Sequence, residues 1–185
     1  FTGNVNNNIY VWGAMLEQQS YATSYIPTSG SAVTRNQELC NNSGTVNDFN
    51  SEEGVLYAEI AALADDGINR RISISNGTTS NVVTIELYQV PNLIVVRLIS
   101  NSVQQAFLVA GNINKKNYNK IAIKYKENDC ALWVNGIEAS VDTSAASPVG
   151  LSELAFDNGG GGDKFYGKTK NLKVFKRALT DAELY

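Results

Sequence analysis

Cys130-Ala-Leu-Trp-Val-Asn-Gly-Ile137 is the stretch whose reading decides the fold. Its first residues alternate, Leu132 and Val134 to one side and Ala131 and Trp133 to the other, which is the period of a half-buried strand. Asn135-Gly136 then supplies two residues that tolerate positive φ, as a tight turn between antiparallel strands requires. Just upstream, residues 121–126 set Ile121, Ile123 and Tyr125 against Ala122, Lys124 and Lys126, a second strand of the same kind. One of these strands presents an outward tryptophan, either a binding platform or packing.

The same alternation recurs on both sides. Residues 55–62 set Leu56, Ala58 and Ile60 against Val55, Tyr57 and Glu59, and residues 70–75 carry Ile72 and Ile74 on one face. Residues 82–89 and 93–100 read as a hairpin. With Pro91-Asn92 as a two-residue loop, Leu87 faces Val96, Glu86 faces Arg97 and Ile85 faces Leu98, pairing apolar with apolar and opposite charges together. Further strands are expected over 104–110, 151–156 and 165–175, the last with Leu172 and Val174 on one face. Turns fall at Asp65-Asp66-Gly67 and at 76–79, and Asn158 to Asp163 form a glycine-rich loop. Thr180-Asp-Ala-Glu183 is a capping box that starts a short C-terminal helical turn. Residues 8–17 and 32–39 also read as strands. Residues 1–31 are expected to be a linker or the last strand of a preceding domain, and 32–185 a β-sandwich.

Composition agrees with an all-β antiparallel sandwich. The chain has 185 residues, enough for one sizeable core, only 18% of them charged, and three prolines. A net charge of −3 without a basic cluster argues against a nucleic-acid partner. Histidine is absent, which excludes Ser-His-Asp and Cys-His nucleophile systems and any histidine-ligated metal. Cys40 and Cys130 are compatible with one disulfide or with two free thiols. No run is long and apolar enough to span a membrane, so no membrane partner is expected. Phe1 opens on polar sequence without a start methionine or a signal peptide, and the expectation is a piece of a longer protein.

Three segments carry a resemblance: Tyr125-Lys-Glu-Asn-Asp-Cys-Ala-Leu-Trp-Val-Asn-Gly136, Phe165-Tyr-Gly-Lys168 and Val174-Phe-Lys-Arg-Ala-Leu-Thr-Asp-Ala-Glu-Leu184. Together they resemble the C-terminal half of laminin-G-like, concanavalin A-like jelly-roll domains. Upstream, residues 9–17 and 22–30 resemble a junction in multidomain bacterial and phage proteins, where a carbohydrate-binding-type sandwich precedes a laminin-G-like domain. The resemblance implies a jelly roll and an extracellular setting, secreted or on a virion. The enzymes of this fold cleave glycans, but the Glu-x-Asp-x-x-Glu strand of its hydrolases and the histidine of its lyases have no counterpart here.

A non-catalytic carbohydrate-binding module is therefore the expected function, with a polysaccharide and neighbouring domains of a larger chain as partners. The alternatives are a structural or adhesion domain of a phage tail fibre and, third, a glycan-cleaving enzyme. Sugar recognition needs aromatic rings for pyranose C–H faces and fixed polar groups for hydroxyls. The outward-facing candidates are Trp133, Tyr88, Tyr57, Arg97, Arg71, Lys124, Lys126 and Glu86. Their cations would favour an anionic polysaccharide. No cofactor is expected beyond a structural calcium that the fold allows, for which Asp65, Asp66, Asp157 and Asp163 are the candidate ligands.

Overall fold

The computed structural model describes residues 12–16, 22, 24–34 and 39–185. The chain divides into two compact units, Phe1–Glu38 and Leu39–Tyr185. Among the described residues of the first, the backbone is irregular, and Trp12 meets Tyr25 edge-on at 5.8 Å. The strands expected over 8–17 and 32–39 do not form at 12–16, at 32–34 or at 39, and their other positions lie outside the described residues. Alternation alone does not make a strand, which also needs a paired neighbour.

The second unit contains β1 (Glu53–Ala62), β2 (Arg70–Ser75), β3 (Val82–Leu87), β4 (Ile94–Ser100), β5 (Val103–Ala110), β6 (Asn119–Lys126), β7 (Cys130–Val134), β8 (Ile137–Asp142), β9 (Glu153–Ala155), β10 (Gly167–Phe175) and a helical turn α1 (Asp181–Leu184). They build two antiparallel sheets, β10-β1-β6-β7-β8 and β5-β4-β3-β2-β9. The inward residues named by alternation meet between the sheets. Leu56, Ile60, Ile72, Ile74, Ile85, Ile121, Ile123 and Leu132 have no exposed surface. A second, smaller cluster lies on the outer face of the first sheet, where Leu179 of the C-terminal tail packs with Val55, Ala122, Ala131 and Trp133.

Asn135 and Gly136 take the left-handed conformation, φ 54° and 80°, and join β7 to β8 as expected. The asparagine does more than tolerate the turn. Its Oδ1 accepts from the Lys120 backbone N–H at 2.9 Å and its Nδ2 donates to Asn119 Oδ1 at 3.1 Å, tying the turn to the start of β6. In the Phe165-Tyr-Gly167 motif the glycine is forced by space. A Cβ at Gly167 would lie 2.5 Å from the Phe165 ring and 2.7 Å from the Ala61 carbonyl oxygen. The capping box forms, with Glu183 accepting from the Thr180 N–H at 2.9 Å and its hydroxyl at 3.0 Å.

The β3–β4 hairpin corrects the expected register by two residues. Glu86 pairs with Val95, Ile85 with Val96 and Thr84 with Arg97. The loop is 88–93 rather than Pro91-Asn92 alone, closed by Tyr88 N–H donating to the Leu93 carbonyl at 3.2 Å. Proline is a poor first residue in a two-residue hairpin loop, and the longer loop avoids it. A shift of two leaves every side chain on its expected face. Both cysteines are free thiols, Cys40 exposed and Cys130 buried.

Candidate functional site

The eight candidate residues do not share one surface. Tyr57 (β1), Lys124 and Lys126 (β6) and Trp133 (β7) belong to the first sheet. Arg71 (β2), Glu86 (β3) and Arg97 (β4) belong to the second, with Tyr88 just past the end of β3. The single surface assembled from alternation is thereby corrected to two faces on opposite sides of the sandwich. Alternation distinguishes inside from outside but does not say which sheet a strand joins.

On the second sheet the charges are spent on one another. Glu86 has no exposed surface and is held by Arg97 Nε at 2.7 Å, Arg71 Nε at 3.2 Å and the Thr84 hydroxyl at 3.0 Å. Arg71 also reaches Asp163 at 3.0 Å. The Arg97 guanidinium lies 4.7 Å from the Phe107 ring centroid and 5.8 Å from that of Tyr88, and the two rings meet edge-on. This is a neutralised network between strands.

The first-sheet lysines are paired as well. Lys126 meets Glu53 at 3.2 Å, and Lys124 meets Asp129 at 2.7 Å and Asp181 at 3.6 Å. Burial works against the Lys124 ammonium, but Asp129 and Asp181 outweigh it and hold its pKa above the usual lysine value. All four cations expected to select an anion therefore already face carboxylates.

What the first sheet does offer is a groove of about 450 Å³. Its floor follows the strand register: Lys173, Tyr57, Ala122 and Trp133 lie side by side on β10, β1, β6 and β7. Tyr118, Glu59, Lys120 and Phe175 complete the floor and sides, and Leu179, Leu184 and Tyr185 form a wall from the tail. Trp133 is only 8% exposed, because the tail covers it, and its Nε1–H has no acceptor. It lines the groove without being an open platform. The ring of Tyr57 has the Lys173 ammonium 5.9 Å from its centroid, and Tyr118 has that of Lys170 at 5.9 Å. Burial, then Glu59, raises the Tyr57 pKa above its ordinary value, so the phenol stays a neutral donor.

The carboxylates of the groove are engaged. Glu59 accepts from Lys170 at 2.7 Å. Glu183 is paired with Arg177, which, together with the Thr180 N–H and hydroxyl, holds its carboxyl down at about 2. A group so acidic stays ionised and cannot serve as a general acid near neutral pH.

The four calcium candidates each already have partners within the protein. Asp65 is held by Lys115 at 2.7 Å, Asp66 is bound in two places by Arg70, and Asp163 pairs with Arg71. Asp157 caps its own loop, accepting from the Gly159 N–H at 2.7 Å. Among the described residues no three acidic or cysteine side chains converge as a metal cage would require. Lys115 is nearly buried and donates also to the carbonyls of Tyr88 and Val90, so an ammonium already sits among those oxygens.

Tyr118, Lys120, Lys173 and Phe175 are groove residues absent from the candidates drawn from sequence. For β10 the signal was present: with Leu172 and Val174 facing inward, Lys173 and Phe175 must face out. Tyr118 sits in the approach to β6, where no period marks it.

A scan against models of protein families finds no match, and neither does a search of curated proteins. Solved structures do match in fold. The carbohydrate-binding module, of type CBM40, of the Ruminococcus gnavus IT-sialidase, bound to α2,3-sialyllactose, is 15% identical, with a TM-score of 0.62 over 80% of this chain and 94% of that one. Domain 4 of AbnA, an extracellular arabinanase of Geobacillus stearothermophilus, in complex with arabinotriose, is 11% identical, with a TM-score of 0.59 over 73% and 66%. A SAP-like pentraxin of Limulus polyphemus is 11% identical, with a TM-score of 0.57 over 78% and 72%. At these identities the likeness is one of fold: the chain has the antiparallel β-sandwich, the jelly roll, of such carbohydrate-binding modules.

Proposed function

We propose that the chain is a non-catalytic carbohydrate-binding module, part of a larger extracellular protein, which holds a segment of polysaccharide in the groove on the outer face of the first sheet. The observation that carries this reading is the groove itself, about 450 Å³ of concave surface where Tyr57, Tyr118, Trp133 and Phe175 meet Lys120, Asn135 and Lys173. Aromatic rings beside a few fixed polar groups, in a concavity of this size, are the composition of saccharide and other small-ligand sites. Tyr57 and the more exposed Tyr118 would take pyranose faces. The fold is one that, in the sialidase module and the arabinanase domain, carries bound oligosaccharide.

Cleavage is a poor match to the same groove. Its two carboxylates, Glu59 and Glu183, are each tied to a cation, and neither is placed to give up a proton to a leaving group. The test is retention of the chain in affinity gels cast with a panel of neutral and acidic polysaccharides. Retention on at least one gel, lost in Tyr57→Ala and kept in Arg97→Ala, is the expected result. A folded protein retained by none of them would sink the proposal, and release of new reducing ends would replace it with catalysis.

A further inference from the structure

We infer that the groove selects acidic saccharides, and that it does so through Lys120 and Lys173, a reading that rests on the groove being the saccharide site. Four charged side chains line the groove: Glu59, Lys120, Lys173 and Glu183. Each carboxylate is neutralised by a cation that stands outside the lining, Glu59 by Lys170 and Glu183 by Arg177. No ion pair among the described residues involves Lys120 or Lys173. Glu138 lies across from Trp133 on β8 but does not line the groove. Two positive charges are thus left uncompensated in a concave, aromatic-walled site on a chain whose net charge is −3. Low-dielectric walls concentrate such a field.

The register fixes how the two ammoniums bracket a ligand. Lys173 lies beside Tyr57 on β10, and Lys120 lies on β6 opposite Glu59, two residues further along. Two strand spacings across and two residues along separate their Cα atoms by roughly 12 Å. With Tyr57 between them, each side chain can reach one acidic group on either side of a sugar stacked there. Lysine is a point charge without a planar fork, so carboxylate and sulfate are served alike, and the recognised chemistry is an anionic group on a sugar. The arginines Arg71 and Arg97, better suited to a fork, are committed to Glu86 on the opposite face.

The experiment compares polygalacturonate with its fully methyl-esterified form, which keeps the backbone and loses the charge, and adds a sulfated glycan such as heparin. Wild type should prefer the acid over the ester by about tenfold, the size of two exposed charge contacts, and the preference should fade in high salt. Lys120→Gln/Lys173→Gln should lose the preference, acid and ester then being retained alike, with an unchanged melting curve as the check on folding. Heparin bound in parallel with the acid supports an anion read by charge alone. Equal binding of acid and ester overturns the inference and leaves the groove standing. A preference for acid that survives the double substitution also overturns it, since the charge would then be read elsewhere. No binding of any panel glycan overturns this inference and the proposed function together.

Discussion

Glu86 is the residue whose charge the second sheet is built to contain. It is wholly buried and has a guanidinium on either side. Removing the negative charge leaves two partly buried arginines facing each other across a neutral amide. Glu86→Gln is therefore expected to lower stability by roughly 2–4 kcal/mol, read from the midpoint of urea unfolding, without affecting retention on glycans. Glu183 makes a pH prediction. Its carboxyl is depressed from 4.5 to about 2, so its contribution is present above 4.5 and is lost as pH falls toward 2. What it holds is the turn at Thr180, next to the Leu179 that covers Trp133. In a Trp12→Phe background, Trp133 emission should shift to the red across that window. Glu183→Gln should already be shifted at neutral pH and vary little within it. A flat titration in the parent would disconnect Glu183 from the cover over the indole.

At the scale of elements, two tight positions test the motifs. Gly136→Ala places a Cβ on a left-handed residue and is expected to cost about 1 kcal/mol. Gly167→Ala meets both a ring and a carbonyl and is expected to cost about 1–3 kcal/mol, read as the larger drop in thermal midpoint. The order of these two effects distinguishes backbone strain from steric collision. Much of this level was legible in the sequence, because strand side chains alternate and the inward residues of β1, β2, β3 and β7 could be named one by one. Sheet membership was not legible, since it depends on contacts far apart in the chain. β1 lies between β6 and β10, and nothing local to residues 55–62 says so. The groove was lost for the same reason: Tyr57 and Trp133 were named, but Lys173 enters only through the β1–β10 register. The hairpin failed differently, through the loop, where a two-residue slip preserves every face and leaves the pattern unable to object.

For the molecule as a whole, three of the candidate calcium-loop aspartates, Asp65, Asp66 and Asp163, are ion-paired. Lys115, Arg70 and Arg71 occupy the aspartates that a cation would need. The melting temperature is expected to be the same in EDTA and in millimolar calcium. A rise of several degrees with calcium would reveal a bound ion, because a ligand that binds only the folded state stabilises it. Lys115→Met should instead cost roughly 3 kcal/mol by leaving Asp65 and two carbonyls without their ammonium. The resemblance carried by Trp133-Val-Asn-Gly136 and Ala178-Leu-Thr-Asp-Ala-Glu183 also becomes physical at this scale. The two motifs touch, Leu179 against Trp133, so together they record how the tail closes over the sheet more than what the sheet binds.

The position of β10 has a colloidal consequence. Among the described residues it is an edge strand, and its outer backbone groups would template the addition of another strand were it not for the exposed Lys168 and Lys173 along it. Like charges on two such edges keep copies of the chain apart. A polyanion laid along the groove would neutralise Lys173 and screen its neighbours, withdrawing that repulsion. Saturation with acidic glycan is therefore expected to lower the concentration at which light scattering first detects self-association, and glycine substitutions play no part in it. Lys173, which would read the ligand, is thus also one of the lysines that guard the edge of the unliganded sheet.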